Sequence, residues 1–134
     1  MSQVIIFTNE TGGVSVCTPT GELSIEEVKA KDTPSHSIIV DDLTLPIADK
    51  DFFDAWELSG TTVSINLTKA KALTKARLRI ERESLLVAQD VLFQRALETN
   101  ADTTAIVAEK TRLRNITSLA DACTTTAELR ALSC

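Results

Sequence analysis

Hydrophobic positions in the first half of the chain follow the two-residue period of β-strands. Residues 4–7 form a β-branched run, turn residues follow through Gly13, and residues 14–17 resume the alternation. This pattern predicts a β-hairpin. A second hairpin is predicted where residues 55–58 and 61–66 flank the tight turn at Ser59 and Gly60.

Three shorter elements are predicted between the hairpins. Ser24 followed by Glu27 has the spacing of a capping box and predicts a helix over residues 25–31. Residues 37–40 predict a buried third strand, and residues 49–54 predict one helical turn that places two aromatic rings against the sheet. We therefore expect an aromatic cluster in this part of the chain, formed by Phe7, Phe52, Phe53 and Trp56.

The pattern changes at Leu67 to the three- and four-residue spacing of a helix. Residues 67–98 contain no Gly or Pro and are rich in strong helix formers, so they predict one long helix capped by Asn66 or Thr68. A broad apolar stripe predicts packing along its length and consists of Leu78, Leu85, Leu86, Gln89, Leu92, Phe93, Ala96 and Leu97.

A second, narrower stripe lies nearly opposite on the same helix. It contains Leu73, Ala76, Ile80, Val87 and Val91. A helix that is apolar on two sides needs two partners, and the chain is short for supplying both. We therefore expect self-association or a stable protein partner, with contacts made by Leu73, Ile80, Val87 and Val91.

The remaining elements are shorter helices. After a break at residues 99–102, Asn100 or Asp102 can cap a helix over residues 103–116, and the short break predicts an αα-hairpin. A capping box at Thr125 and Glu128 opens a last helical turn or two. The complete pattern predicts an α+β fold, with an antiparallel β unit and a short helix over residues 1–66, then a long-helix αα-hairpin and a short C-terminal helix over residues 67–134.

The charge distribution agrees with a boundary near residue 66. Residues 1–66 carry 11 acidic and 3 basic side chains, whereas residues 67–134 carry 8 acidic and 11 basic ones. The net charge of −5 for the whole chain argues against binding to nucleic acid. No apolar run approaches the roughly 18 residues of a membrane span, and the N-terminus has no signal-peptide pattern.

Residues with catalytic or metal-binding chemistry are few, so we expect a protein that is not an enzyme and binds no cofactor. His36 is the only histidine and lies in an apparent loop. An acidic group lacks the Gly and the closing Glu of a calcium loop, and turn formation explains most of its members, which are Asp41, Asp42, Asp49, Asp51 and Asp54. No Gly-rich phosphate loop and no Ser, His and Asp pattern is present.

A basic group occupies the first turns of the long helix. Its members are Lys69, Lys71, Lys75, Arg77, Arg79 and Arg82. Glu81 and Glu83 interrupt the group, so we expect a solvated helix face, or one that faces the acidic sheet unit, rather than a phosphate-binding track. The three cysteines, Cys17, Cys123 and Cys134, have no CxxC spacing and predict reduced thiols in a cytoplasmic protein.

Several stretches resemble small proteins encoded in the tail regions of tailed bacteriophages. They comprise residues 4–16, residues 51–58, and the helical run from Arg79 to Glu98. Residues 110–117 and 124–129 are similar to a C-terminal segment that recurs in phage tail-fibre-associated proteins and tail assembly chaperones, although these relatives often have Asp in place of Asn115.

The resemblance implies a non-enzymatic structural component of a phage virion, associated with the tail or tail fibre. The alternative that it leaves open is a tail assembly chaperone that binds a tail component transiently. The implied partners are other phage tail or virion proteins, with assembly in the host bacterial cytoplasm and final location in the virion. Neither nucleic acid nor a membrane is an implied partner.

Overall fold

The fold is α+β, as the sequence pattern predicts. A computed structural model describes residues 2–134, so Met1 of the predicted sheet unit lies outside the described residues. The chain divides into two compact units, the first ending at Ala70 and the second running from Lys71 to Cys134. Antiparallel strands are confined to the first unit, and most of the helical residues lie in the second.

The main sheet of the first unit has three antiparallel strands in the order β2-β1-β3. These are β1 (Gln3–Thr8), β2 (Val14–Cys17) and β3 (Ile38–Asp41). The central strand β1 has apolar side chains on both faces, and Val4, Ile5 and Ile6 are buried. The third strand begins one residue later than predicted and is half-buried rather than buried, because it lies at an edge of the sheet.

The turn of the first hairpin is organised by Asn9. Its side-chain oxygen Oδ1 accepts hydrogen bonds from the backbone N–H groups of Thr11 and Gly13, both at 3.1 Å. Gly12 has a φ of +85°, a conformation that residues with a Cβ adopt rarely. The predicted hairpin is therefore confirmed, and its turn depends on an Asn side chain and a Gly backbone.

The second hairpin contributes to the same core as the main sheet. Its strands are β4 (Trp56–Ser59) and β5 (Thr62–Ile65), and a 3₁₀ segment, Ile47–Ala55, precedes them. The buried side chains of the core cluster are Val4, Ile6, Val14, Trp56 and Val63.

The predicted aromatic cluster is only partly right. Phe52 and Trp56 are buried, and the Phe53 ring lies 4.9 Å from the Trp56 ring, centroid to centroid, yet Phe53 is 37% exposed. The Phe7 ring instead meets the His36 imidazole edge-on at 6.2 Å. The core cluster around β1 is therefore mainly aliphatic, with Trp56 among its buried side chains.

Side-chain caps start three of the helices where the sequence predicts them. In α1 (Ile25–Asp32), the Ser24 hydroxyl accepts from the Glu27 N–H at 3.2 Å. Asn66 caps α2 (Leu67–Glu98) by accepting from the Lys69 N–H at 3.1 Å. The Thr125 hydroxyl accepts from the Glu128 N–H at 3.1 Å and opens α4 (Thr126–Ala131).

The second unit packs the rest of α2 against the shorter C-terminal helices. These are α3 (Thr104–Asn115), a 3₁₀ helix (Ile116–Ala122) and α4. Helices α2 and α3 run antiparallel, since Asp90 pairs with Lys110 while Arg82, earlier on α2, reaches the carbonyl of Arg114, later on α3. The buried side chains of this unit are Leu78, Ala96, Leu113, Ile116, Ala120, Cys123 and Leu129, together with Thr74.

Candidate interaction surface

The narrower apolar stripe of α2 remains largely exposed in the folded chain. Ile80 is 73% exposed, Val87 58% and Val91 44%. Leu73, which the sequence placed in the same contact surface, is half-buried and therefore less available to a partner. We refer to Ile80, Val87 and Val91 as the α2 face.

The broad stripe on the other side of α2 is covered only in part. Leu78 and Ala96 are buried, whereas three leucines of the predicted packed stripe are exposed, namely Leu85, Leu92 and Leu97. The width of the stripe explains the difference, because α3 runs beside this part of α2, where Asp90 pairs with Lys110, but a single helix covers only part of a broad stripe. Packing along the whole of α2 is therefore not observed.

A shallow depression lies at the C-terminal end of the α2 face. It is lined by Val87, Asp90, Val91, Gln94, Arg95 and Glu98. Aliphatic groups form part of its wall, and charged or amide groups stand around them. Its composition is that of a contact surface with an apolar centre and a polar rim.

The rim of the α2 face carries charges of both signs. The Asp90 carboxylate pairs through Oδ1 with the Lys110 ammonium at 2.6 Å, and that ammonium lies 5.0 Å from the centre of the Phe93 ring. Within residues 2–134, neither Arg79 nor Arg95 has a side-chain partner. The rim can thus accept carboxylate groups from another molecule.

The basic residues at the start of α2 hold the second unit together. The Arg77 guanidinium donates to the carbonyls of Leu129 (3.2 Å) and Leu132 (2.8 Å), at the end of α4, and pairs with Glu81 at 2.8 Å. Arg82 likewise donates to the Arg114 carbonyl at 2.8 Å, at the end of α3. Helix C-termini carry partial negative charge, so cations bind there favourably.

Two lysines of the same group contact one residue of the C-terminal 3₁₀ helix. Lys75 forms an ion pair with the Asp121 carboxylate at 2.6 Å, and Lys71 donates to the Asp121 carbonyl at 3.1 Å. The hydrogen bond from Lys75 lowers the pKa of Asp121. Neither predicted role, a solvated face or one facing the sheet unit, describes these four residues, since their partners lie in the C-terminal helices. Lys69 does face the sheet unit, with its ammonium 4.0 Å from the Glu57 carboxylate of β4, and Arg79 is exposed.

The other polar candidates have structural contacts. His36 is exposed, with Nε2 3.2 Å from the Thr8 carbonyl oxygen. Asp41 accepts from the Leu43 N–H at 3.0 Å at the start of a 3₁₀ turn. In the part of the chain that the structure describes, no group of three or more His, Cys, Asp or Glu side chains is placed to hold a metal ion.

The three cysteines are free thiols. Cys123 is buried, and Cys17 and Cys134 are half-buried. Burial is the largest cause of the raised pKa of the Cys134 thiol, followed by the negative charge of Glu81. A raised pKa keeps a thiol protonated and weakly nucleophilic.

A second apolar surface lies in the first unit. It is a groove lined in part by Val16, Leu45, Ile47, Phe53 and Trp56. Asp42 and Lys50 also line it, so charged groups stand within the groove itself. The α2 face differs in presenting three aliphatic side chains along one side of a single helix, and it is the stronger candidate for a protein contact.

The chain matches no protein-family model, no curated protein and no solved structure. Across residues 2–134, no helix combines the length and the apolar character that crossing a membrane requires.

Proposed function

We propose that this protein is a non-enzymatic structural component of a phage virion, associated with the tail or tail fibre, and that it acts through contacts made by the α2 face. The observation that carries the proposal is the exposure of Ile80, Val87 and Val91 on one side of a folded helix. The likeness of the sequence stretches to phage tail proteins supplies the biological setting.

Burial of the α2 face would provide a substantial driving force for assembly. Fully burying one such aliphatic side chain is worth about 1.5–3 kcal/mol. The α2 face offers three of them, and Leu85 and Leu92 add further exposed apolar area on the same helix. Exposed apolar surface of this kind is typical of protein contact sites.

The use of charge in the second unit also supports a structural role. Arg77 and Arg82 are engaged by helix-end carbonyls, and Lys75 is engaged by a carboxylate of the same unit. These cations stabilise the fold and leave the apolar α2 face as the distinctive surface. We therefore attribute the function to the apolar contact area of the α2 face rather than to a reactive group.

Mass spectrometry of purified virions tests the proposal directly. We expect the protein to be present at a fixed ratio to the other tail proteins. A variant with Ile80→Ser and Val87→Ser should be lost from the particles, because two apolar contacts become polar. The matched control is Val107→Ser on α3, which changes an exposed valine away from the α2 face and should leave incorporation unchanged.

Two results would contradict a virion component. If the protein binds tail proteins in infected-cell extracts but is absent from purified particles, it is an assembly chaperone. If the double variant and the control are incorporated equally, the α2 face is not the contact surface. Circular dichroism of each variant establishes that helix content is unchanged before either result is used.

A further inference from the structure

We propose that the occupant of the α2 face is a second copy of this chain, paired with it through parallel, in-register α2 helices over residues 80–94. The inference rests on the proposed function, since it names the partner of the same surface. Two observations carry it: the heptad spacing of the α2 face, and the positions of Glu83, Asp90 and Arg95 beside it.

The exposed side of α2 has the spacing of a coiled-coil seam. Ile80, Ser84, Val87, Val91 and Gln94 follow one another at alternating intervals of four and three residues. In heptad terms Ile80, Val87 and Gln94 are d positions, and Ser84 and Val91 are a positions. In a parallel pair, the a side chain Val91 and the d side chain Gln94 of one copy each enter a hole between four side chains of the other copy. The residues that form both holes line the depression at the end of the α2 face.

The charged residues beside the seam discriminate between the two helix directions. The residue just before an a position is a g position, and the residue just after a d position is an e position. Asp90 precedes Val91 and is a g residue, whereas Arg95 follows Gln94 and is an e residue. In a parallel pair each g residue meets the e residue five positions later on the other helix. Asp90 of each copy therefore faces Arg95 of the other.

Both members of this pair are available in the folded chain. The Arg95 side chain has no partner within the described residues, and it is exposed. The Asp90 carboxylate uses Oδ1 for Lys110 and remains 60% exposed, so its second oxygen can accept from a guanidinium. Two-fold symmetry produces the Asp90 and Arg95 pair twice.

The antiparallel arrangement places like charges together. Antiparallel helices bring g residues of one copy against g residues of the other. The g residues beside the seam are Glu83 and Asp90, so each heptad register that overlaps the seam sets one acid against another. In the parallel pair, Glu83 meets the neutral Ala88 instead. The antiparallel arrangement also brings e residues together, but Glu81, the e residue that could meet Arg95 there, is already paired with Arg77 of its own chain at 2.8 Å. Charge complementarity therefore selects the parallel pair.

The seam ends at charged residues on both sides. Arg77, at the a position before Ile80, is held by the carbonyls of Leu129 and Leu132 within its own chain. Glu98, at the a position after Gln94, is the last residue of α2. The paired segment thus covers two heptads of a helix that is already folded, so pairing carries no cost of helix nucleation.

Disulfide trapping tests the direction and the register. In the full chain with Cys17→Ser, Cys123→Ala and Cys134→Ser, we expect Val87→Cys alone to form a linked dimer under mild oxidation, because Val87 faces its own copy only in the parallel, in-register pair. The matched control is Val107→Cys, an equally simple change on α3, which should give no disulfide-linked dimer. A linked dimer that forms only when Ser84→Cys and Val87→Cys chains are mixed would establish the antiparallel pair and overturn the inference.

Charge reversal gives an independent test by sedimentation. Arg95→Glu replaces two attractive contacts by two repulsive ones and should raise the dimer dissociation constant about tenfold. Adding Asp90→Lys to Arg95→Glu should restore association, since the charges are then exchanged. Arg114→Glu, on α3, makes the same change in net charge and should have no effect. Equal dissociation constants for Arg95→Glu and Arg114→Glu would overturn the pairing.

The results separate this inference from the proposed function. If Val87→Cys fails to link and Arg95→Glu has no effect, while Ile80→Ser with Val87→Ser still removes the protein from virions, then another tail protein occupies the α2 face. In that case the proposed function stands and the second-copy inference is wrong. If the serine variant is also incorporated normally, the proposed function is wrong as well.

Discussion

The two units differ in how completely they cover their apolar side chains. Among the described residues, the first unit leaves four large hydrophobic side chains exposed, namely Leu23, Leu43, Ile47 and Phe53. The second unit leaves eight exposed, namely Ile80, Leu85, Val87, Val91, Leu92, Leu97, Val107 and Leu119. The units are of similar length, so the excess reflects architecture rather than size.

The architecture of each unit explains the contrast. In the first unit the most apolar strand, β1, lies between β2 and β3, and the second hairpin adds Trp56 and Val63 to its core. In the second unit, residues 71–98 of α2 have shorter partners, namely α3 with 12 residues, the 3₁₀ helix with 7 and α4 with 6. A long helix with short partners leaves some of its apolar surface uncovered, and association with another molecule can bury that surface.

The largest effect should come from separating the units. A fragment of residues 1–70 has a closed apolar core, so we expect it to fold alone. Residues 71–134 should fold cooperatively only where they self-associate, which circular dichroism at several concentrations would show as a melting temperature that rises with concentration. A stable monomeric helical fragment beside an unfolded sheet fragment would reverse the comparison.

Substitutions on α3 should show how strongly buried and exposed positions differ in their effect on stability within the second unit. Leu113 is fully buried and Val107 is 46% exposed on the same helix. Leu113→Ala should lower the free energy of unfolding by about 2–5 kcal/mol through the lost contacts and the cavity. Val107→Ala should change it by no more than about 0.5 kcal/mol. Urea denaturation measures both, and similar losses would mean that α3 is packed on both faces.

Acid should produce the smallest effect, and it should act on the second unit. The pKa values of Asp102, Glu109 and Asp121 are lowered by hydrogen bonds from Thr104, Arg112 and Lys75, respectively. Stability from a lowered carboxyl pKa is present above the unfolded-state value, near 4, and is lost as the pH falls through the folded-state value.

Thermal melts between pH 6 and pH 2 would show this loss. Asp121→Asn should give a shallower pH dependence than the native chain, because one of the three linked carboxyls is removed. All three groups are on the surface, so the change should be modest and should diminish in high salt. An unchanged pH profile for Asp121→Asn would show that its ion pair with Lys75 adds nothing to stability.

Patterns among neighbouring residues predict the helices and strands well, but they do not predict contacts between residues that are far apart in the sequence. The caps at Ser24 and Thr125 were identified because hydroxyl and amide partners lie within three residues. The sequence predicts a solvated or sheet-facing surface for Arg77. Its actual partners are carbonyls 52 and 55 residues away, which no neighbouring residue indicates. Helical spacing placed Ile80, Val87 and Val91 on one stripe, but only the structure distinguishes them from the half-buried Leu73.

The covered and exposed sides of α2 belong to one uninterrupted helix, and this fixes their relative phase. One residue inserted after Leu78 would rotate everything that follows by about 100°, moving Ala96 out of the core and turning Ile80 away from its side of the helix. An insertion of seven residues changes the phase by only about 20° and lengthens the helix by about 10 Å. Changes in the length of α2 that keep both surfaces intact are therefore restricted to insertions that restore the helical phase, such as about 7, 11 or 18 residues.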